Sequence, residues 1–276
     1  MKMMNCFSRT ILKALLLAPL LAVPPAAKAA SFSGSATAAD VKPTFSPEQV
    51  IAFSKKVEKT LAQQGARVAI LARMGRPASE MPPGMRFTHS AFAVYSEITT
   101  QDGRKLPGYA VHNLYQRENE PNKSDLVIDY PVDFFAGVSE LEAGIIIPSM
   151  ELQQRLLRVI ASPSYAALHE ADYSVIANPF NAGRQNCTEF VLDVVNSAIY
   201  QTSDLKFLKA NTLAYFEPQK VEVSPFKLML GSMFSKEVSL VDQSGTPVTA
   251  TFETIGRYLQ KYDVGSTVLM VKPDSK

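Results

Sequence analysis

Cysteine is scarce in this chain of 276 residues, which contains only Cys6 and Cys187. Cys6 lies in an N-terminal segment with the features of an export signal, so the exported product would keep Cys187 alone. A single cysteine excludes an internal disulfide, and the stability of a product of roughly 247 residues must come from packing one sizeable core. The unpaired cysteine of an exported protein therefore needs another explanation.

The first 29 residues have the composition of a signal peptide. Basic residues precede an apolar run at residues 14–23, which is too short to span a bilayer, and Ala27–Ala29 fits the small-residue rule for cleavage. The sequence predicts cleavage after Ala29, a small and polar tether over residues 30–42, and a single domain with terminal embellishments over 43–276. The expected location is the periplasm or the cell exterior, and no membrane span is expected in the mature chain.

The sequence also lacks a large net charge of either sign. Without the four basic residues of the leader, 24 basic and 26 acidic residues remain, and the net charge changes from +2 to −2. No basic patch with interleaved aromatic residues occurs, which argues against nucleic acid as a partner. The three histidines are spaced by 23 and 57 residues without an H-x-x-x-H or C-x-x-C pattern, so neither a metal nor another cofactor is predicted. The absence of a G-x-S-x-G elbow argues against a serine hydrolase.

Hydrophobic periodicity and turn signals predict an α+β protein. Ser46, Ser149 and Asn186 are the predicted caps of three helices. The predicted helices cover residues 46–65, 149–160, 187–199, 205–216 and 255–262. The predicted strands cover residues 67–74, 87–98, 108–115, 126–130, 142–147, 173–177, 238–241, 248–252 and 267–271, of which 238–241 and 248–252 form a hairpin.

Cys187 is the candidate nucleophile. It lies in the segment QNCTEF of residues 185–190, where Asn186 is a natural N-cap and Glu189 completes a variant capping box. Cys187 is therefore predicted in the first turn of a helix, where the positive end of the helix dipole lowers the pKa of a thiol. A free cysteine is also often a small buried hydrophobe, and the sequence leaves this alternative open.

His89 is the candidate base. A cysteine hydrolase needs a base beside its thiol and a third polar group that orients that base. Alternation on the predicted strand 87–98 places His89 on the same face as Ala91 and Ala93, whose small side chains would let the Cys187 helix approach closely. We therefore expect the thiol to lie within reach of the imidazole, although a hydrogen-bonded structural role also fits His89 alone.

The remaining candidates would orient the base or hold an oxyanion. His112, on the predicted strand 108–115, is the first candidate for the orienting group, and it fits a structural role equally well. Asn113 lies on the opposite face of that strand and would take the role if the register slipped by one residue. Gln185 and Asn186 are the candidate oxyanion or substrate-binding residues, although Gln185 could equally cap the turn. His169 is expected to be structural.

The residues of three segments carry a resemblance to a known family. These segments are RFTHSAF at 86–92, ANPF at 177–180 and QNCTEF at 185–190. They resemble the bacterial family domain of unknown function 2145, from about residue 87 to residue 199. Their order is similar to that of the circularly permuted branch of the NlpC-like papain superfamily, in which a strand histidine precedes the helix cysteine. The resemblance implies a permuted papain-like core, with an antiparallel sheet packed against the cysteine helix.

The resemblance also implies roles and a function. Cys187 would be the nucleophile, His89 the base, and a histidine would be expected at the place of His112. The expected protein is an exported cysteine hydrolase or acyl transferase that acts on an amide, thioester or ester bond, with a cell-wall peptide or a lipid-like molecule as substrate. The alternative is a non-catalytic periplasmic binding or assembly protein that keeps the papain-like fold. The oligomeric state stays open.

Overall fold

A six-stranded antiparallel sheet forms the centre of the protein. The computed structural model describes residues 43–100, 102–222 and 238–274, all of which fall in one compact unit. The predicted signal peptide and tether lie outside these residues. The strands of the sheet are β1 (Val68–Met74), β2 (His89–Thr99), β3 (Lys105–Gln116), β4 (Ser124–Asp129), β5 (Glu140–Ile147) and β8 (Thr267–Val271). Their order is β4-β3-β2-β1-β5-β8, and every neighbouring pair is antiparallel.

Seven α-helices are interspersed among the strands of the described chain. They are α1 (Pro47–Gln63), α2 (Pro131–Phe135), α3 (Met150–Ile160), α4 (Pro163–Ala167), α5 (Cys187–Tyr200), α6 (Leu205–Tyr215) and α7 (Phe252–Tyr262). The predicted caps are confirmed, because Ser46 accepts a hydrogen bond from the Gln49 N–H and Ser149 accepts one from the Leu152 N–H. In the described parts of the chain no helix is long and apolar enough to cross a membrane. The predicted mixture of helices and an antiparallel sheet is confirmed.

Both faces of the sheet are covered. Side chains at even positions of β1, such as Ile70, join a core with α3, α5 and α7, whereas odd positions such as Leu71 join a second core with α1 and α2. All seven residues of β1 are therefore buried. The same alternation on β2 directs Phe92 toward α5 and Ala93 toward α1, and it decides which side chains can meet at the candidate site.

Two predicted strands are not formed. Residues 173–177 contain one isolated bridge, between Tyr173 and Gln185, and no ladder. The amide of Gln243 supplies the missing partner there, because its Nε2 donates to the carbonyl of Ile176 at 2.6 Å. The predicted hairpin is also wrong: β7 (Val248–Thr249) pairs with β6 (Gln219–Lys220), and not with residues 238–241.

Candidate active site

Cys187 is the first residue of α5, as predicted from its N-cap. The Oδ1 atom of Asn186 accepts hydrogen bonds from the backbone N–H groups of Thr188 at 3.1 Å and Glu189 at 2.9 Å. The Nδ2 atom of Asn186 donates to the carbonyl of Val175 at 3.0 Å. Asn186 therefore fixes the start of the helix and anchors it to the preceding loop, which leaves its side chain engaged in internal hydrogen bonds.

Glu189 does not complete the predicted capping box. Its Oε1 atom accepts a hydrogen bond from the Nζ atom of Lys209 on α6 at 2.6 Å, and the same ammonium group bonds Asp193 at 2.9 Å. Two buried carboxylates one helical turn apart repel each other, and the lysine between them offsets that repulsion. Glu189 is therefore drawn into the core and away from the helix terminus.

Gln185 has a structural place in this geometry and not the predicted oxyanion role. Its Nε2 group donates to the carbonyl of Leu168 at 3.1 Å and to the carboxylate of Asp193 at 2.9 Å. Its Oε1 atom accepts a hydrogen bond from the N–H of Glu170 at 3.0 Å. All the amide's hydrogen-bonding groups are engaged, so Gln185 fastens the 168–170 loop to α5 and presents no donor to the thiol.

The thiol lies at the point where the pairing between β2 and β3 ends. The Tyr95 N–H bonds the carbonyl of Arg67 beside β1, so the N–H groups at even positions of β2 point toward β3. β3 pairs with β2 only from Phe92 onward, and the N–H of Ser90 faces the sulfur of Cys187 instead. The sulfur therefore lies beside the backbone of β2 at the end of the β2–β3 ladder.

The groups around the thiol shift its pKa in opposite directions. Cys187 is only 4% exposed, and its Sγ atom lies 3.7 Å from the hydroxyl of Thr188. Burial raises the pKa of the thiol, whereas the hydrogen bonds from Ser90 and Thr188 and the charge of Arg73 act to lower it. The raised pKa means that Cys187 is a neutral thiol at rest.

His89 is held by Asn113. The Nε2 atom of His89 and the Oδ1 atom of Asn113 are 3.1 Å apart, and both side chains are buried. The amide Nδ2 of Asn113 donates to the Val111 carbonyl at 3.1 Å and to the Asp129 carboxylate at 2.7 Å, so its Oδ1 atom must act as the acceptor. Nε2 of His89 therefore carries the proton, and Nδ1 is an acceptor.

The second ring nitrogen of His89, Nδ1, is not bonded to Asn113. Among the described residues, Nδ1 is buried and has no hydrogen-bond partner. Burial and the charge of Arg73 lower the pKa of His89 to about 3, against the opposing effect of Asn113, so the imidazole is neutral at rest. The expected contact between the thiol and the imidazole is not formed among the described residues, and the sulfur contacts the amide of Ser90, the residue next to His89, instead. The structure thus brings a neutral thiol and a neutral imidazole to the same strand end.

The predicted contact between His112 and His89 is wrong. The register places His112 opposite Phe92, so its side chain lies on the α5 face, where its ring meets Tyr165 edge-on at 5.9 Å. Asn113 shares the other face with His89 and needs no slip of register to reach it. The amide takes the orienting position because the two strands pair odd positions with odd positions.

The predicted approach of α5 to Ala91 and Ala93 is also wrong. These alanines face α1 and α2, whereas α5 packs on the side of Phe92. The His89 ring lies on the alanine side, where it stacks on Tyr115 with centroids 5.0 Å apart and contacts Phe134 at 5.6 Å. Cys187 and His89 therefore approach the end of β2 from two sides of the sheet.

Reasoning from the sequence missed Arg73, which lies beside this site. It is the cross-strand partner of His89, and its guanidinium lies 4.9 Å from the ring centroid of Phe134 and 5.6 Å from that of Tyr115. Its signal was visible in the strand VAILARM, where a single cation interrupts an otherwise apolar segment. Asp129, bonded to Asn113 and to the Tyr115 hydroxyl, was equally unmarked, because its partner residues are distant in sequence.

The third histidine, His169, has structural partners. The Nε2 atom of His169 lies 3.0 Å from the hydroxyl of Ser124, and its ring contacts Phe190. Across the described residues, no group of three histidine, cysteine or acidic side chains could hold a metal ion.

One cavity with a polar lining lies away from Cys187. It has a volume of about 420 Å³ and is found at the C-terminal end of α5, where Arg155 and Arg158 face hydroxyl groups. Arg155 donates to the carbonyl of Ile199, which is the usual way in which a cation satisfies a helix end. The cavity therefore supplies no substrate pocket for the thiol.

Comparison with known proteins assigns the family. Residues 60–259 match the family model described as "Uncharacterized protein conserved in bacteria (DUF2145)". The chain belongs to the DUF2145 family. The matched region includes Arg73, His89, Asn113 and Cys187, and the resemblance to this family expected from the sequence is confirmed.

Structural and curated comparisons add a more distant similarity to this DUF2145 chain. A crystal structure described as metalloprotein YiiX from Escherichia coli O157:H7, DUF1105, is 13% identical and has a TM-score of 0.42. The match covers 75% of this chain and 97% of that chain. No curated protein matches the chain.

Proposed function

We propose that this DUF2145 chain is an exported cysteine hydrolase or acyl transferase with a permuted papain-like core. The observation that carries the proposal is the hydrogen-bonded pair of His89 and Asn113, which leaves Nδ1 of the imidazole as a bare acceptor. The only cysteine beyond the leader lies against the next residue of the same strand. A thiol, a base in the accepting tautomer and an amide that orients the base are the parts that thiol-based acyl transfer needs.

The proposed reaction follows from these parts. The Cys187 sulfur attacks the acyl carbon while its proton passes to Nδ1 of His89, and the proton then goes to the departing amine, alcohol or thiol. Water or a second nucleophile attacks the resulting thioester and gives a proton to His89, and the expelled thiolate of Cys187 then takes that proton back. The backbone N–H of Cys187, the one first-turn amide that Asn186 does not engage, is the proposed donor to the oxyanion.

Both reacting groups are buried, so the reaction requires local opening at the gap between β2 and β3. Entry of the substrate would bring Sγ and Nδ1 into a hydrogen bond, since catalytic contacts often tighten only in the complex. The proposed substrate class, a cell-wall peptide or a lipid-like molecule with an amide, thioester or ester bond, rests on the resemblance of the site segments to the NlpC-like superfamily. The proposed location, the periplasm or the cell exterior, rests on the leader.

A non-catalytic binding or assembly protein is the second candidate. The observation that favours it is the burial of both side chains, which holds the thiol and the imidazole in their neutral forms. In that case Cys187 is a core residue of α5, packed with Val191 and Val194 in the same cluster.

Labelling with an acyl-type electrophile separates the two candidates. For a nucleophile, Cys187→Ser should abolish labelling with little change in the melting temperature. His89→Ala should slow labelling by about 10²-fold, the lower end of what a positioned base contributes. His169→Ala is the matched control, because it removes a partly buried histidine that is bonded to Ser124 and has no place in the proposed reaction.

The contrary outcome is equally specific. If Cys187 is only a core residue, the serine variant buries a hydroxyl and loses about 1–3 kcal/mol of stability. Equal labelling rates in wild type, His89→Ala and His169→Ala, together with that loss, would overturn the hydrolase proposal.

A further inference from the structure

Arg73 is a buried cation that interacts electrostatically with Asp129 but not in a direct ion pair. It is 1% exposed, and none of the described carboxylates forms an ion pair with it. One terminal nitrogen donates to the carbonyl of Phe134, whereas Nε and the other terminal nitrogen are buried and have no hydrogen-bond partner among the described residues. An ionised group in the interior is costly unless nearby groups compensate for it, so the position of Arg73 calls for a functional explanation.

The guanidinium and the imidazole share one aromatic cage. Arg73 and His89 are directly opposite each other in the β1–β2 ladder, so their side chains emerge on the same face. Tyr115 and Phe134 contact both groups, and these rings hold the guanidinium in a fixed place beside the imidazole. A fixed positive charge at this place opposes a second positive charge on His89 and favours a negative charge on the nearby sulfur.

The other charged groups around the site are accounted for. Asp129 from β4 bonds Asn113 and the Tyr115 hydroxyl, and burial raises its pKa to about 6. Asp133 from α2 acts electrostatically on Tyr115 and on Asp129, and Glu189 from α5 is bound to Lys209. Arg73 is therefore the cation of this cluster whose charge acts on both members of the thiol–imidazole pair.

We propose that Arg73 is the positioning residue of the site, a fixed cation that keeps His89 neutral and supports the thiolate of Cys187. The inference rests on the proposed function. In this proposal the resting pair is a neutral imidazole and a neutral thiol. The positive charge of Arg73 then stabilises the thiolate when it forms, and the resting site contains no imidazolium–thiolate ion pair.

The test is the pH profile of Cys187 alkylation by iodoacetamide in the full exported chain. Arg73→Met should raise the midpoint of the profile by about one pH unit and slow alkylation at neutral pH about tenfold, since one unit corresponds to a tenfold change in thiolate. Arg73→Lys keeps the charge and should keep the midpoint within about half a unit. Arg155→Met is the control, because it removes an arginine that, like Arg73, is bonded to a backbone carbonyl but is only partly buried, and its midpoint should equal that of the wild type.

A wild-type measurement covers the case in which the Met variant does not fold. Thiolate absorbance near 240 nm and the ring resonances of His89 are followed over the same pH range. The proposal expects the thiolate to appear while His89 stays neutral, and protonation of His89 in step with thiolate formation would overturn it. A midpoint unchanged in Arg73→Met would overturn it too. If alkylation still depended on His89 in that case, the proposed nucleophile and base would stand, and only the role of Arg73 would fall.

Discussion

At the scale of single residues, the buried charges of α5 determine how the protein responds to pH. Glu189 and Asp193 are completely buried beside one lysine, and one oxygen of each carboxylate has no hydrogen-bond partner among the described residues. Burial raises the pKa of both carboxyls, that of Glu189 to about 8, although the charge of Lys209 opposes the shift. The folded protein therefore holds a proton on this cluster at neutral pH, whereas the unfolded chain releases it.

This proton uptake predicts a loss of stability with rising pH. A carboxyl with a raised pKa contributes its full stability below its unfolded value near 4.5, and that contribution is lost as the pH rises toward about 8. The slope for one proton is at most about 1.4 kcal/mol per pH unit. Glu189→Gln should flatten the pH dependence of the free energy of unfolding, measured by urea denaturation between pH 5 and about 8.

Glu97→Gln is the control for that measurement. Glu97 lies at the exposed end of β2 and pairs with Lys105 on the surface, where such ion pairs contribute little. Its variant should keep the wild-type slope. An unchanged slope in Glu189→Gln would show that Glu189 is ionised in the folded state.

At the scale of helices and strands, local sequence signals located most elements. The caps of α1, α3 and α5 and the alternation of β2 and β3 are readable because each depends on residues close together in the chain. The strand predicted at 173–177 failed because its backbone groups bond separate parts of the chain: Tyr173 bonds the carbonyl of Asn122, Ser174 bonds that of Gln185, and Ile176 accepts from the side chain of Gln243. Local patterns carry no information about such distant partners.

The residues of the candidate site likewise divide into those that local sequence predicts and those that depend on distant partners. Cys187, His89 and the N-cap role of Asn186 were predictable from neighbouring residues. The choice between His112 and Asn113 depends on which face of the sheet each helix covers. The place of Arg73 in the site depends on its cross-strand pairing with His89. Pairing between strands is a tertiary property, so the orienting residue was assigned to the wrong face.

Close packing of α7 on β5 gives a second prediction at this scale. A Cβ atom at Gly144 would lie 2.7 Å from Phe252 and 2.8 Å from Phe87, whose rings pack edge-on. Gly144→Ala should therefore lower the free energy of unfolding by about 1–3 kcal/mol, the usual cost of overpacking. Thermal or urea denaturation measures the change.

Gly256→Ala provides the comparison on the same helix. Its added Cβ would meet its nearest neighbour, Val268, at 3.4 Å, an ordinary contact, and alanine favours the helix by about 0.5–1 kcal/mol. This variant should be neutral or more stable. Equal effects of the two substitutions would refute the packing argument.

At the scale of the whole molecule, the leader predicts the form in which the protein functions. Ala27–Ala29 satisfies the small-residue rule, so the exported protein should begin at Ala30. N-terminal sequencing or intact mass of the protein recovered from the periplasm checks the start. Recovery of the uncleaved chain in a membrane fraction would show that the apolar run is an anchor.

The two-sided covering of the sheet has a consequence for redox chemistry. An oxidising compartment exposes thiols to enzymes that exchange disulfides, and exchange requires in-line access of an attacking sulfur. Cys187, the first residue of α5, is only 4% exposed, so a thioredoxin-like catalyst cannot reach its sulfur while the fold is closed. In the proposed exported protein, the same burial that keeps the thiol neutral would also preserve it from mixed disulfides and from oxidation to sulfenic acid until a substrate opens the site.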